Sequence, residues 1–520
     1  MAKKPSCGKI LGDKAEILAR GLLAAYDIDA DKETAGLELA TKAYAAALKG
    51  ATCHRLDAKL TNKDRALVAE GDAGRKPLVE RYGNLYLQRY DALEHELADG
   101  ILKKAAETGG RHPVEARWLE GCDESQAAAV KLTGETNLMI VTGGPGTGKT
   151  STATRMLASE IVDGGIPIDR VRLCASTGRA ASRLRESVIG DHARTLEGAG
   201  LEVARLQPAR TLHKLLGDPE AMKLGKLFLV DECSMVDLHI FAKFMRLVPA
   251  GAKVILLGDP RQLPSVETGS VFADLCRAKD LVKFKVNLTK NHRLPPAVHA
   301  AANYVMGDNK AAKPILLDPK NEDVIEACAE DYGKLKRAAE AGDMKSVDQL
   351  LNSVRVLCSH RRGPTGVSAL NLGIQERLGL KSAEQPGQLI MVTQNDARIT
   401  GLMNGDVGVV VAGRRAKFPG RELTFSLSDL RATMPAFATT IHKSQGSEYS
   451  RVLLVLSDSE QEDFLSKELL FTGITRAKAC LGPGGGEVAS IYTSSDAFKS
   501  MIGSKVQRAS GLAERLGGAV

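Results

Sequence analysis

The sequence predicts an α/β protein with a nucleotide-binding parallel sheet, an N-terminal helical domain and a small β insert. Three observations predict it. The stretch Gly143-Gly144-Pro145-Gly146-Thr147-Gly148-Lys149-Thr150 fits G-x-x-x-x-G-K-[ST], and it lies between an apolar run at 138–141 and a helical stretch at 151–161. Apolar runs recur between helical segments at 171–175, 227–230 and 254–257, the rhythm of buried parallel strands. Residues 385–435 hold short apolar runs divided by Gly, Asn and Asp, with Asn404-Gly405-Asp406 as a turn, which reads as antiparallel strands.

A chain of 520 residues is too long for one core. Its hydrophobic content of 43% and charged content of 26% are those of an ordinary globular protein. Lys and Arg total 71 against 63 Asp and Glu, a formal excess of +8 that permits a polyanionic partner without demonstrating one. No two of the nine cysteines form a C-x-x-C pair, so neither a zinc site nor a disulfide framework is expected, which suits a reducing cytoplasm. The N-terminus lacks an apolar signal region, and no run of eighteen apolar residues suggests a membrane span.

In chain order, residues 1–115 read as helical. Leu37, Ala40, Tyr44 and Leu48 recur at helical spacing, and so do Tyr82, Leu85, Tyr86, Tyr90, Leu93 and Leu97. These faces suit a small helical core better than a partner surface. Residues 109–113 read as a linker. From Asp123 the α/β rhythm begins. Gln126 either closes a capping box with Asp123 or presents its carboxamide to an adenine edge, and its position just upstream of the P-loop favours the adenine.

The P-loop glycines let backbone N–H groups converge on phosphate oxygens at a helix N-terminus. The expected cradle is Gln126 with Gly143, Gly144, Pro145, Gly146, Thr147, Gly148, Lys149, Thr150 and Ser151. Lys149 reaches the β- and γ-phosphates of ATP, and the Thr150 hydroxyl ligates Mg²⁺. Polar clusters follow the later strands, where active groups of parallel sheets gather. Asp231 is the expected second Mg²⁺ ligand and Glu232 the base for an attacking water. Gln262, in Gly258-Asp259-Pro260-Arg261-Gln262, can contact the γ-phosphate. Thr177 and Arg179 in one cluster, Thr211 and His213 in another, suit a phosphodiester backbone or ordinary helix capping equally. Residues 308–352 read as charged helices on a solvated face, possible as a connector, and 354–358 opens a second α/β block. Within it lie the 440–448 cluster, containing His442 and Gln445, and the 470–478 cluster, containing Arg476. Arg476 and Arg293 are the candidates to neutralise charge on the γ-phosphate from a second domain. The run Gly482-Pro483-Gly484-Gly485-Gly486 reads as a flexible break in place of a continuing strand.

The ordered set formed by 143–151, 175–184, 211–216, 230–237, 258–269, 440–448 and 470–477 resembles the superfamily 1 helicases. Within them it is most similar to the RecD family, the alpha subunit of exodeoxyribonuclease V (RecBCD); 357–367, 404–408 and 510–513 add to that likeness. The resemblance implies two RecA-like P-loop NTPase domains, 116–290 and 291–520, with ATP between them and an SH3-like insert at 385–435. It implies 5′→3′ travel on DNA, single-stranded, tailed or blunt-ended, gripped through Thr177, Arg179, Thr211, His213, His442 and Gln445. It implies double-strand break repair and recombination within a heterotrimer with RecC-like and RecB-like subunits, the N-terminal domain contacting the RecC-like one. Nuclease chemistry is expected in a partner chain. The alternatives are a stand-alone RecD-like helicase, or a subunit that mainly binds. A relaxase-helicase fragment would need a tyrosine nucleophile and a His-rich triad, which the sequence lacks.

Overall fold

The structure is a computed structural model that describes all residues except 1–6, 32, 62–66, 71–75, 192, 199, 396–399, 457–464, 484–488, 505–507 and 519–520. Two parallel sheets, each flanked by helices, form a RecA-like pair. The first orders its strands Lys285–Leu288, Leu138–Gly143, Lys253–Gly258, Leu227–Asp231, Val171–Ala175 and Arg210–Thr211. Its central strands are buried on both faces, which is why they read as continuous apolar runs rather than alternating ones. All strands run the same way, so the polar segments after Gly143, Ala175, Asp231 and Gly258 emerge at one edge.

The second sheet orders Ile315–Leu317, Ser490–Tyr492, Tyr449–Val455, Val354–Cys358 and Ala438–Thr440, with Ala477–Leu481 also paired to Tyr449–Val455. Tyr449 and Arg451 face Ala477 and Cys480, while Val455 faces Tyr492. The glycine run therefore separates two strand segments that share one edge of the same neighbour; residues 484–488 lie outside the described ones. The β insert is an antiparallel five-stranded sheet: Phe425–Ser426, Arg415–Lys417, Val407–Val411, Leu389–Val392, Thr433–Pro435. Its valines at 407, 409 and 411 join the core of the second sheet, and Val410 with Ile390 forms the insert's own core.

Three expectations are corrected. The apolar positions from Tyr82 to Leu97 do not form one helix. Leu78–Arg81 and Asn84–Leu87 pair as a hairpin, and only Gln88–Ala106 is helical. Tyr82 and Gly83 both have positive φ, 53° and 70°, the backbone that joins twisted antiparallel strands most tightly. With Cys53–Arg55 and Val68–Glu70 they build a four-stranded sheet, so the N-terminal region is mixed rather than purely helical. Residues 308–352 do hold charged helices with a solvated face, as read, but they are not a connector. Helix Asn321–Ala341 buries Val324, Cys328, Tyr332, Leu335 and Ala339 against the second sheet, and its charges occupy the other face. Finally, residues 508–518 leave the second motor domain. Helix Leu512–Arg515 packs on Gln88–Ala106 and Val271–Arg277, and Leu512 and Leu516 enter a core shared by the N-terminal region and the first sheet.

Candidate functional site

The P-loop joins strand Leu138–Gly143 to helix Lys149–Val162. Gly146 and Gly148 hold φ of 83° and 80°, conformations a side chain would strain. A Cβ on Gly143 would stand 2.5 Å from Thr147 Oγ1, and one on Gly148 equally close to Gln126 Nε2. The turn is tied internally: Thr147 Oγ1 donates to Gly144 O at 2.8 Å. Lys149 Nζ donates to Gly143 O at 2.7 Å and Gly144 O at 3.1 Å, bonds of the strength a phosphate oxygen can replace.

Gln126 makes the capping box with Asp123 that was one of its two readings from the sequence. Its backbone N–H donates to Asp123 Oδ1 at 3.0 Å, and its Oε1 accepts from the Asp123 N–H at 3.2 Å. Its Nε2 donates to Thr147 O at 3.3 Å, so the carboxamide bridges the helix cap and the P-loop. The physical reason is local: an N3 carboxamide lies within reach of the N-cap amide whatever else surrounds it.

Segment 291–294, between the two sheets, also docks on the P-loop. His292 N–H donates to Gly146 O at 2.8 Å, and His292 Nε2 lies 2.8 Å from Asp123 Oδ2. Burial acts to raise the Asp123 carboxyl; the Ser125 hydroxyl, the Gln126 amide and His292 outweigh it and hold the group at about 2. His292 escaped sequence reasoning; its place beside Arg293 was the available signal.

Asp231 ends strand Leu227–Asp231, and its Oδ1 accepts from Glu232 N–H at 2.8 Å. Glu232 holds φ 52°, a left-handed backbone that is uncommon for a non-glycine residue and recurs at functional sites. Burial first and the Glu232 carboxylate second push Asp231 upward, with Lys149 pulling the other way. Two crowded carboxylates beside a threonine hydroxyl form the hard-oxygen donor set that suits a divalent cation. Among the described residues no cluster of three or more His, Cys, Asp or Glu could hold a metal.

The first domain meets the second through the Gly258–Pro264 segment. Leu263 N–H donates to Thr472 Oγ1 at 3.1 Å, and the Arg261 guanidinium lies 4.9 Å from the Phe471 ring centre. Arg476 is buried at this seam. Its Nε donates to Thr472 O at 3.0 Å, Nη1 to Ser447 O at 3.2 Å, and Nη2 to Gln262 Oε1 at 3.4 Å. Burial lowers its pKa, while Glu232 and Glu448 favour the charged form. Lys149, Glu232, Gln262, Arg293 and Arg476 all line one cavity of about 550 Å³ that also touches Thr150, Ser151 and Asp231.

The residues expected at a phosphodiester backbone are more dispersed. Thr177 Oγ1 accepts from Ala180 N–H and Thr211 Oγ1 from Lys214 N–H, each capping its own helix. A capping hydroxyl still has its own proton to donate, so capping does not exhaust it. Arg179 Nη1 donates to Gly405 O of the β insert at 2.8 Å, which ties the insert to the first domain. His213 and His442 are exposed, whereas Gln445 is buried with no hydrogen-bond partner for Nε2 among the described residues.

Two family models match parts of the chain. A family model described as an AAA domain matches residues 121–323. One described as a UvrD-like helicase C-terminal domain matches 435–482. The RecBCD enzyme subunit RecD of Mycolicibacterium smegmatis is 35% identical over 492 residues, spanning 87% of this chain and 86% of that protein. The subunit of the same name from Haemophilus influenzae is 29% identical, over 75% of this chain and 72% of that protein. The ATP-dependent RecD2 DNA helicase of Deinococcus radiodurans is 31% identical, over 70% of this chain and 49% of that protein.

Proposed function

This chain belongs to the RecD family, and from that premise we propose that it works as a 5′→3′ DNA translocase, the RecD-like subunit of a RecBCD-type helicase–nuclease. It is an ATP-hydrolysing DNA helicase. The observation that carries the mechanistic reading is the single cavity in which Lys149, Asp231 and Glu232 of one sheet face Arg476 of the other.

In this reading Lys149 exchanges its P-loop carbonyls for β- and γ-phosphate oxygens of ATP. Thr150 and Asp231 would hold Mg²⁺, which when bound neutralises charge on the phosphates. Glu232 orients and deprotonates the attacking water. Arg476 approaches the γ-phosphate from the second domain, and Arg293 from the segment between the two sheets. Gln262, already bonded to Arg476, reports loss of the phosphate to the Leu263–Thr472 seam. Thr177, Arg179, Thr211, His213, His442 and Gln445 grip the DNA backbone on both domains, so closure of the seam shifts one grip along the strand. Backbone grip implies weak sequence preference and strong salt dependence.

The subunit reading is supported by the relatives named RecBCD enzyme subunit RecD, which align along most of this chain. The proposed partners are a RecC-like subunit against the N-terminal region and a RecB-like subunit that supplies nuclease chemistry, acting together in double-strand break repair and recombination. None of the described helices is long and apolar enough to cross a membrane.

Lys149→Gln tests the site: ATP hydrolysis should vanish while the thermal transition stays in place. Undiminished DNA-stimulated turnover in that variant would refute the assignment. Unwinding of 5′-tailed against 3′-tailed duplexes, with and without RecC-like and RecB-like subunits, tests polarity and assembly; preference for the 3′ tail overturns the direction.

A further inference from the structure

Glu448 has no task in the reaction described above, yet it is the most heavily paired acid in the cavity. Its side chain is 8% exposed, and Oε2 lies 2.9 Å from Arg183 Nη2. Arg293 grips it with both nitrogens: Nη1 donates to Oε2 at 3.0 Å, and Nη2 lies 2.5 Å from Oε1. Lys478 Nζ stands 3.4 Å from Oε2. Burial acts to raise this carboxyl; Arg183, Arg293, Arg476 and Lys478 overcome it and hold the group at about 2, so it stays an anion at any working pH. One carboxylate thus collects cations from the first domain, from the segment between the domains and from the second domain.

What that carboxylate is attached to matters as much. Arg183 lies on helix Gly178–Glu186, whose N-cap is Thr177, and its Nη1 donates to Gly446 O at 3.0 Å. Glu448 follows the loop that carries His442 and Gln445. The Arg183–Glu448 bridge therefore joins the two segments assigned to DNA, at their ends nearest the nucleotide cavity. Arg293 spends its Nη1 and Nη2 edge, the one that forms the end-on fork, on Glu448. A γ-phosphate reaching for Arg293 has to compete with Glu448 for the same nitrogens.

We propose that Glu448 is a positioning residue that withholds Arg293 and Arg183 from the γ-phosphate until DNA on the Thr177 helix and the His442 loop shifts the bridge, so that it couples DNA binding to ATP hydrolysis. The proposal rests on the reading of this cavity as the ATP site. It goes beyond that reading because it gives the arginines a second partner and makes their release depend on DNA. Removing the acid leaves a cavity with the same cations and one anion fewer, which favours a triphosphate over a diphosphate because the third phosphate lies nearest the arginines.

The test uses the full chain as wild type, Glu448→Gln, Arg183→Gln and Lys149→Gln. ATP turnover is measured with and without single-stranded DNA, and binding of ATPγS and ADP by titration calorimetry. Glu448→Gln should raise DNA-free turnover roughly five-fold or more and reduce the stimulation by DNA by a similar factor, a coupling of ordinary allosteric size. ATPγS should bind more tightly, with ADP changed less. Arg183→Gln, which cuts only the first domain's leg of the bridge, should move stimulation the same way by a smaller factor. A Glu448→Gln protein that melts like wild type but keeps its stimulation ratio, or loses turnover with and without DNA, overturns the proposal. If Glu448→Gln does not fold, Arg183→Gln decides, and an unchanged stimulation ratio overturns it. If Lys149→Gln binds ATPγS as wild type does, the cavity is not the ATP site; the proposal then falls with that reading, whatever the Glu448 result.

Discussion

Gln126 uses both ends of its carboxamide on its surroundings, accepting from the Asp123 amide and donating to the Thr147 carbonyl. The cap alone needs an acceptor; the P-loop contact needs a donor. Gln126→Glu separates the two, because it keeps the acceptor and loses the N–H. We expect its melting temperature to stay within a degree or two of wild type while KM for ATP rises roughly two- to ten-fold, the worth of one hydrogen bond. An unchanged KM would reduce Gln126 to a helix cap. Glu232 is constrained differently. Its left-handed backbone is set by the tight exit from strand Leu227–Asp231, and sequence spacing gives no sign of it. Cys233, next to it, is buried with Sγ donating to Val230 O at 3.1 Å, a small-residue role that asks nothing of the thiol's chemistry.

At the scale of elements, periodicity misleads where two elements abut. Leu85 and Tyr86 fall on the helical spacing of Tyr90, Leu93 and Leu97, yet they are strand residues, and the turn at Tyr82-Gly83 is what separates them. Helix Asn321–Ala341 misleads in the opposite sense: its buried stripe is narrow and its charge dense, so the apolar period is faint. The 109–113 linker is also anchored rather than free. His112 N–H donates to Gly134 O, and His112 Nε2 lies 3.1 Å from Glu160 Oε1, within ion-pair reach though not aligned as a hydrogen bond. Glu160 is buried with Lys253 Nζ 2.5 Å from the same oxygen. The Glu160 carboxylate raises the His112 pKa above its ordinary value, against the opposing effect of burial. A raised folded pKa means the stability from this contact is complete below about 6.5, the unfolded value, and is lost as pH rises through the folded one. The melting temperature lost in His112→Asn should therefore be larger at pH 6 than at pH 8.5; a loss that is equal at both would show that His112 acts only by packing.

At the scale of the whole molecule, the C-terminal segment closes a loop that the order of domains along the chain conceals. Arg515 pairs with Asp91, and its Nε lies 3.4 Å from Glu94 Oε2. Glu94 also accepts from Thr52 Oγ1 at 2.5 Å and from Ser510 Oγ at 2.9 Å. Arg508 Nη1 reaches the carbonyls of Glu267 and Gly269 in the first domain at 2.7 and 2.9 Å. The tail thus ties the second domain to the N-terminal region and the first sheet, and Arg508, Ser510 and Glu514 line a cavity that also reaches Gly143, Thr147 and Gln262. Burial raises the Glu94 carboxyl, with the Thr52 hydroxyl and Arg515 opposing. Arg515→Ala strips a buried anion of its counter-ion, a change worth about 3–5 kcal/mol. Because Glu94's pKa is raised, its share of stability is present below the unfolded carboxylate value and lost as pH rises through the folded one, and the variant raises that value further. Urea unfolding should show a larger loss for Arg515→Ala at pH 8 than at pH 5. Equal losses would place the effect in packing of the tail instead.

The P-loop, the Asp231–Glu232 pair and the parallel strands were legible because each depends on residue types at short fixed spacing, and local geometry obeys that spacing in any surroundings. The β insert was legible for the same reason, from turn residues between short apolar runs. Pairings between distant segments were not. That Glu448 would meet Arg183 and Arg293, that Arg179 would reach Gly405, and that residues 508–518 would return to the N-terminal region follow from how two sheets and their connections pack. Charge and hydrogen-bond capacity are written in each residue, but the partner that satisfies them is chosen by distance and burial, which exist only once the chain has folded.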